Sequence, residues 1–566
     1  MAHWKKQALD WAVLAALGLS LTACGGGGGS DDSTVMGNGD GIAGQRQATP
    51  PTPPTPTTPP TPEVPGTVQV QGIVRFESIP TKPTGGLDYA AQTAKPARYI
   101  RVDAIDVAGT VVAQGATDAD GRYAMAVPPL RSIRVRMFAS MVAPGSDSGQ
   151  PSAEVADNTD KLALYTAITQ PFTSGTSSAQ HDIRIPSGWA PVDGGIELPS
   201  GRVAAPFAIL DTIYTAQARV LASAPATVFP LLTVMWSKAN TGSSSVSSID
   251  VASGDIGGTQ FLTVKGYPVM LLLGKAGVDT DEYDASVIAH EWGHYWQQSF
   301  SRDDSPGGTH EWGDLLDPTV AFSEGFATAW SGIALGRDSF VDSFGPQQKQ
   351  GSATNLLAAP TDASRGWFRE DSVQYLLRRL HDLHGPRVVL DAMAGPMRTS
   401  PANTGIHAFH QAVTAVSTSA AATLAPLLRT QAIEPNTDAW GIGETNGGGS
   451  TVALPMVQPL ALGAAPTTAC VSASFDPYRV GNRLGQIAYL RVAIPAAGTY
   501  RVTVDGPATT NPDFILRDTA GEVLRSFTTG STTETAAAEL KAGEHVIAVR
   551  DGNRSSSHAC FQVSIQ

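Results

Sequence analysis

Residues 290–294 read His290-Glu291-Trp292-Gly293-His294. On a helix, positions four apart lie one above the other on the same face. Two imidazoles placed that way can grip one metal ion, and the glutamate between them can reach a water on that ion. The flanks predict a helix. Ala285, Ile288, Ala289, Trp292 and Trp296 recur at spacings of three and four and form a buried face, with His290 and His294 on the opposite side. Asp279, Asp281, Glu282 and Asp284 precede this stretch, where carboxylates suit a helix N-terminus. Before them, YPVMLLLG at 267–274 reads as a strand, so the expected order is strand, acidic loop, helix.

A pair of histidines needs a further protein ligand. A third histidine at 300, with Gly at 297, would supply one, but the chain has Gln297 and Phe300. Glu324 is the better candidate. It lies in AFSEGFATAW at 321–330, which also reads as helix, and Gly325, Ala327 and Ala329 would let that helix approach a neighbour closely. Asp314 and Asp317, in the intervening loop SRDDSPGGTHEWGDLLDPT, are competing ligands.

An HExxH motif followed by Glu on a second helix resembles the gluzincin zinc metallopeptidases, the broad group that includes thermolysin. The resemblance covers roughly residues 205–445 and rests on the HEWGH and SEGFA motifs; the gap between them is longer than in thermolysin-like enzymes. It implies one Zn2+ held by His290, His294 and Glu324, with Glu291 as general base for hydrolysis of a protein or peptide substrate. His310, Tyr375 and Arg369 are candidates for oxyanion or substrate contacts, and His381 and His384 lie in the same region. A different function class is a surface adhesin or binding lipoprotein with a non-catalytic metallopeptidase-like domain. The intact set His290, Glu291, His294 and Glu324 favours hydrolysis, because a fold kept only for binding has no use for Glu291.

The elements that must position these residues sit in a long chain. At 566 residues it exceeds what one core can organise. Only 16% of residues are charged, and the net charge is −13 with no Lys/Arg cluster after the leader, which argues against a nucleic-acid partner. Residues 1–23 read as an export signal, with Lys5 and Lys6 ahead of the apolar AVLAALGLSLTA. The following Leu21-Thr22-Ala23-Cys24 resembles a bacterial lipobox, which implies a lipid on Cys24. Membrane attachment is then by that lipid only, and the expected location is the bacterial cell envelope, at the outer membrane or cell surface.

The expected fold class is multidomain α+β. Residues 24–66 form a Gly-rich, then Thr/Pro-rich linker. Residues 67–140 alternate as short strands of a β-sandwich. TDADGRY at 117–123 resembles the carboxypeptidase-regulatory, transthyretin-like modules and reads as a turn rather than a calcium loop. A connecting region spans 141–204. The catalytic domain, 205–449, combines a small edge sheet with helices, among them 206–223 and 370–383, the latter with Val373, Leu376, Leu377, Leu380 and Leu383 on its core stripe. Residues 450–566 read as a second β-sandwich, similar in layout to pre-peptidase C-terminal domains. Cys470 and Cys560, near its two ends, are expected to form a disulfide in an oxidising compartment.

Overall fold

The computed structural model describes residues 66–142, 151–192, 194–242, 249–527, 530–554 and 558–566. Cys24, the export signal and the linker to residue 65 lie outside the described residues. Among those residues no helix is long and apolar enough to cross a membrane. The fold is mixed α+β and rich in sheet. The described residues form two compact units, 66–295 with 334–355 and 296–333 with 356–566.

In the first unit, strand β1 (Val68–Ser78) alternates buried and exposed side chains and forms the centre of a five-stranded sheet. Strands β2 (Ile100–Asp106), β3 (Val111–Ala116), β4 (Ser132–Val142), β5 (Pro151–Asp157), β6 (Leu232–Trp236), β7 (Gln260–Val264) and β8 (Tyr267–Leu272) belong to a ten-stranded sheet in the order β7-β8-β6-β5-β4-β2-β3. The link β5 to β6 is parallel, pairing Val155 with Val234. One sheet therefore runs through the expected boundaries near 140 and 205, because apolar strands on either side of them pair directly. TDADGRY is a turn as expected: the Asp118 carboxylate accepts the backbone N–H groups of Asp120 and Arg122.

Helix α1 (Ala205–Ser223) buries Ile209, Leu210, Ile213, Ala216 and Val220, the face its period predicts. A smaller sheet contains β9 (Asp279–Thr280), β10 (Ser339–Phe344) and β11 (Gln350–Asn355). Between β9 and β10 in sequence come helices α2 (Ala285–Phe300) and α3 (Pro318–Leu335).

The second unit holds α3 and the helices that follow. Helix α4 (Glu370–His384) buries Val373, Leu376, Leu377 and Leu380. Leu383, expected on that stripe, is exposed in the last turn of the helix, which ends at His384. Beyond residue 457 the chain forms two facing sheets around Leu490, Val502, Phe514, Ile547 and Phe561. Strands β12 (Thr467–Val471) and β13 (Ala559–Ile565) are neighbours, and Cys470 stands opposite Cys560 in a disulfide.

Candidate metal centre

Aromatic side chains pack along helix α2, and His290 and His294 are themselves buried. Trp292 lies 5.9 Å from Phe229 and 5.5 Å from Tyr295, ring centre to ring centre, and the Tyr295 hydroxyl donates to the Pro230 carbonyl. At the other end, Trp296 packs on Phe326 and Trp330 of α3, at 5.7 and 6.4 Å. Gly325 allows α3 to meet α4 at short range. A Cβ at that position would fall 2.7 Å from the Val373 Cβ and 2.8 Å from the Glu370 carbonyl oxygen.

His290, His294 and Glu324 are all buried, and each offers a ligand atom within 4.8 Å of the other two. The facing Nε2 atoms of His290 and His294 are 3.1 Å apart. A tetrahedral zinc with arms of about 2.0–2.1 Å needs donors about 3.3 Å apart, so the histidine pair fits it. Two nitrogens and one carboxylate oxygen are also a donor set that zinc accepts.

Glu291 is buried beside these ligands without joining them. Its Oε2 accepts the Phe261 backbone N–H at 2.7 Å. Phe261 lies on β7, the edge strand of the ten-stranded sheet. The carboxylate is thereby held in one orientation by a backbone donor.

Among the expected oxyanion or substrate contacts, His310 is the one that reaches this centre. Its Nε2 is 3.8 Å from Glu324 Oε2 and 3.4 Å from Glu370 Oε2. Burial works to lower its pKa, but the Glu324 charge and the Glu370 hydrogen bond outweigh burial and push it up to about 9. Glu370 also accepts from the Thr328 hydroxyl on α3.

The other candidates are engaged elsewhere. Arg369 is bound to Asp371, with further contacts to Ser364 and Asp362, which consume its guanidinium. Tyr375 is half-buried on α4 and makes no polar contact with the centre among the described residues. His381 pairs with Asp382, and His384 meets Thr423. The competing ligands fall away too. Asp314 pairs with Arg483 at 2.6 Å, and Asp317 caps α3 by accepting the backbone N–H and hydroxyl of Thr319.

Of the acidic residues before α2, Asp284 stands at the helix start, where its backbone carbonyl accepts the Ile288 N–H, but its carboxylate accepts from the Ser343 hydroxyl. Asp279 and Asp281 meet Asp342 of β10, with ligand oxygens of all three within 4.8 Å of one another. Burial, then repulsion within the group, raises the Asp279 pKa to about 8; burial alone raises that of Asp342 to about 7. Sequence reasoning did not single out Glu370 or the Phe261 N–H, because neither carries a local motif.

No family profile matches the sequence, and no curated protein is detectably similar to it. Among solved structures, the precursor of protealysin, a metalloproteinase from Serratia proteamaculans, aligns with 40% of this chain and 78% of its own at 8% identity and a TM-score of 0.26. The pre-peptidase C-terminal domain of a collagenase from Bacillus anthracis aligns with 19% of this chain and 94% of its own, at 12% identity and a TM-score of 0.16. Likenesses this slight leave fold and function to be argued from the residues themselves.

Proposed function

We propose that this chain is a zinc-dependent endopeptidase of the gluzincin type, exported to the bacterial cell envelope and held there by a lipid on Cys24. The observation that carries the reading is the grouping of His290, His294 and Glu324 around one point, with Glu291 fixed beside them. When bound, zinc supplies Lewis acidity to a carbonyl and brings the pKa of water toward neutrality. Glu291 takes the proton from the attacking water and passes it to the leaving amine. The Phe261 N–H keeps its carboxylate aimed while that proton moves. His310, between Glu324 and Glu370, orients the ligand carboxylate and balances the buried negative charge.

The test is Glu291→Gln in the full chain. Zinc content should match wild type, because the three ligands are untouched. Casein hydrolysis should fall by about 10² or more, the scale of general-base loss. Full activity in Glu291→Gln would sink the mechanism, and a wild type that neither binds zinc nor cleaves casein would sink the function.

A further inference from the structure

The loop from α2 to α3 presents His310, and it is gripped by residues of the C-terminal β-region. The Asn482 side-chain amide donates to three successive carbonyls, those of Gly307 at 3.1 Å, Gly308 at 2.9 Å and Thr309 at 3.3 Å. Arg483 donates to the same Thr309 carbonyl at 2.9 Å and pairs with Asp314 further along the loop. The backbone joins in. Asp317 N–H donates to the Asn482 carbonyl, and Leu484 N–H to that of Leu315. Gly308 has φ +105°, and a Cβ there would lie 2.8 Å from the Val480 side chain and 2.9 Å from the Asn482 amide nitrogen. The contact is therefore made against bare backbone. Asn482 and Arg483 are both buried.

We propose that Asn482 and Arg483 are positioning residues for the metal centre, acting through the loop that sets His310 against Glu324. The C-terminal β-region is then a working part of the catalytic body rather than a detachable appendage. The reasoning is geometric. The three carbonyls immediately precede His310, so their anchorage fixes where that imidazole starts. Irregular backbone of this kind has no ladder of its own, and each carbonyl must find a donor. A single amide that serves three of them makes loop order depend on one side chain. This inference rests on the zinc reading for its catalytic consequence, but loop order can be read without it.

The experiment uses the full chain and Asn482→Asp, which keeps the shape and removes the donors. Hydrogen exchange across residues 301–317 is followed by mass spectrometry, with zinc content and the kcat and KM for a peptide substrate alongside. Exchange in the loop should accelerate by about tenfold or more, the result of losing roughly one buried hydrogen bond or more of local stability. Zinc stoichiometry should hold, and kcat should fall with little change in KM. Arg483→Lys, which keeps the charge facing Asp314, should loosen the loop less and recover part of kcat. Val504→Ala, a change in the apolar core of the same region, should lower the melting temperature yet leave loop exchange and turnover per zinc as in wild type. Wild-type exchange and kcat in Asn482→Asp would overturn the proposal. Should Asn482→Asp fail to fold, Arg483→Lys decides in the same way: wild-type exchange and kcat there overturn it. Loosened loops in a protein that binds no zinc would uphold the anchorage and reject the peptidase reading instead.

Discussion

The Tyr489 hydroxyl lies 2.9 and 3.0 Å from the two carboxylate oxygens of Asp317, the residue that caps the Glu324 helix. Both groups are buried. A side chain of the C-terminal β-region thus holds the start of the helix that carries a proposed zinc ligand.

Tyr489→Phe removes that donor and should destabilise the second unit by about 1–2 kcal/mol, the cost of leaving a buried acceptor short of a partner. Burial pushes the Asp317 pKa up to about 6, against the hydrogen bonds from Thr319 and Tyr489 that lower it. A carboxyl whose folded pKa is raised contributes stability below its unfolded value, near about 3.9, and loses it as pH rises through the folded one. The Tyr489→Phe deficit should therefore be larger at pH 8, where Asp317 is charged, than at pH 5. Denaturant titration at both values checks this; an equal deficit would mean that Asp317 does not titrate there.

Gly325→Ala tests the close approach of α3 to α4. The added methyl meets the Val373 side chain and the Glu370 backbone oxygen at distances no real Cβ tolerates, so the helices must separate. Overpacking of this kind costs about 1–3 kcal/mol. Because Glu324 is the preceding residue, zinc affinity should fall with stability. Melting curves and zinc titration of the variant give the answer, and unchanged values in both would show that α4 yields without cost.

Much of the centre was legible because its signals are local. His290 and His294 share a helix face by spacing alone, and the Glu324 helix declares itself by its small residues. What escaped the sequence depends on distant pairings. Asp279 and Asp281 read as partners of a helix N-terminus because nothing in the sequence brings Asp342 to them; only the β9–β10 register does. The anchorage of His310 by Asn482 spans more than 170 residues and has no motif. The β5–β6 pairing likewise joins strands that alternate no differently from those of two separate sheets.

The Asp279, Asp281 and Asp342 group gives a pH prediction of definite sign. Folded pKa values of about 8 for Asp279 and about 7 for Asp342 exceed the unfolded carboxylate value. Stability from these protonated groups is present below about pH 4 and is lost as pH rises through 7 and 8. In buffer free of divalent cations, the melting temperature should drop between pH 6 and 9. Asp342→Asn should flatten that drop and raise the melting temperature at pH 9, since it removes one of the mutually repelling charges. A wild type and variant with parallel pH profiles would contradict the coupling.

Glu324→Ala separates a ligand from a base. Glu291→Gln should keep its zinc and lose turnover, whereas Glu324→Ala removes a donor from the centre and should lose both together. The remaining histidine pair keeps some affinity, with its Nε2 atoms still 3.1 Å apart. Added zinc should therefore restore part of the activity of Glu324→Ala and none of that of Glu291→Gln. Asp314 and Asp317 are committed elsewhere: Asp314 is paired with Arg483, and Asp317 is tied to Thr319 and Tyr489. Glu370 is a further alternative, lying 3.4 Å from His310 Nε2, the nitrogen that is 3.8 Å from Glu324. Zinc titrations of Glu324→Ala and of Glu324→Ala combined with Glu370→Gln distinguish the cases. Wild-type zinc affinity in the single variant, lost only in the double one, would move the third ligand from Glu324 to Glu370.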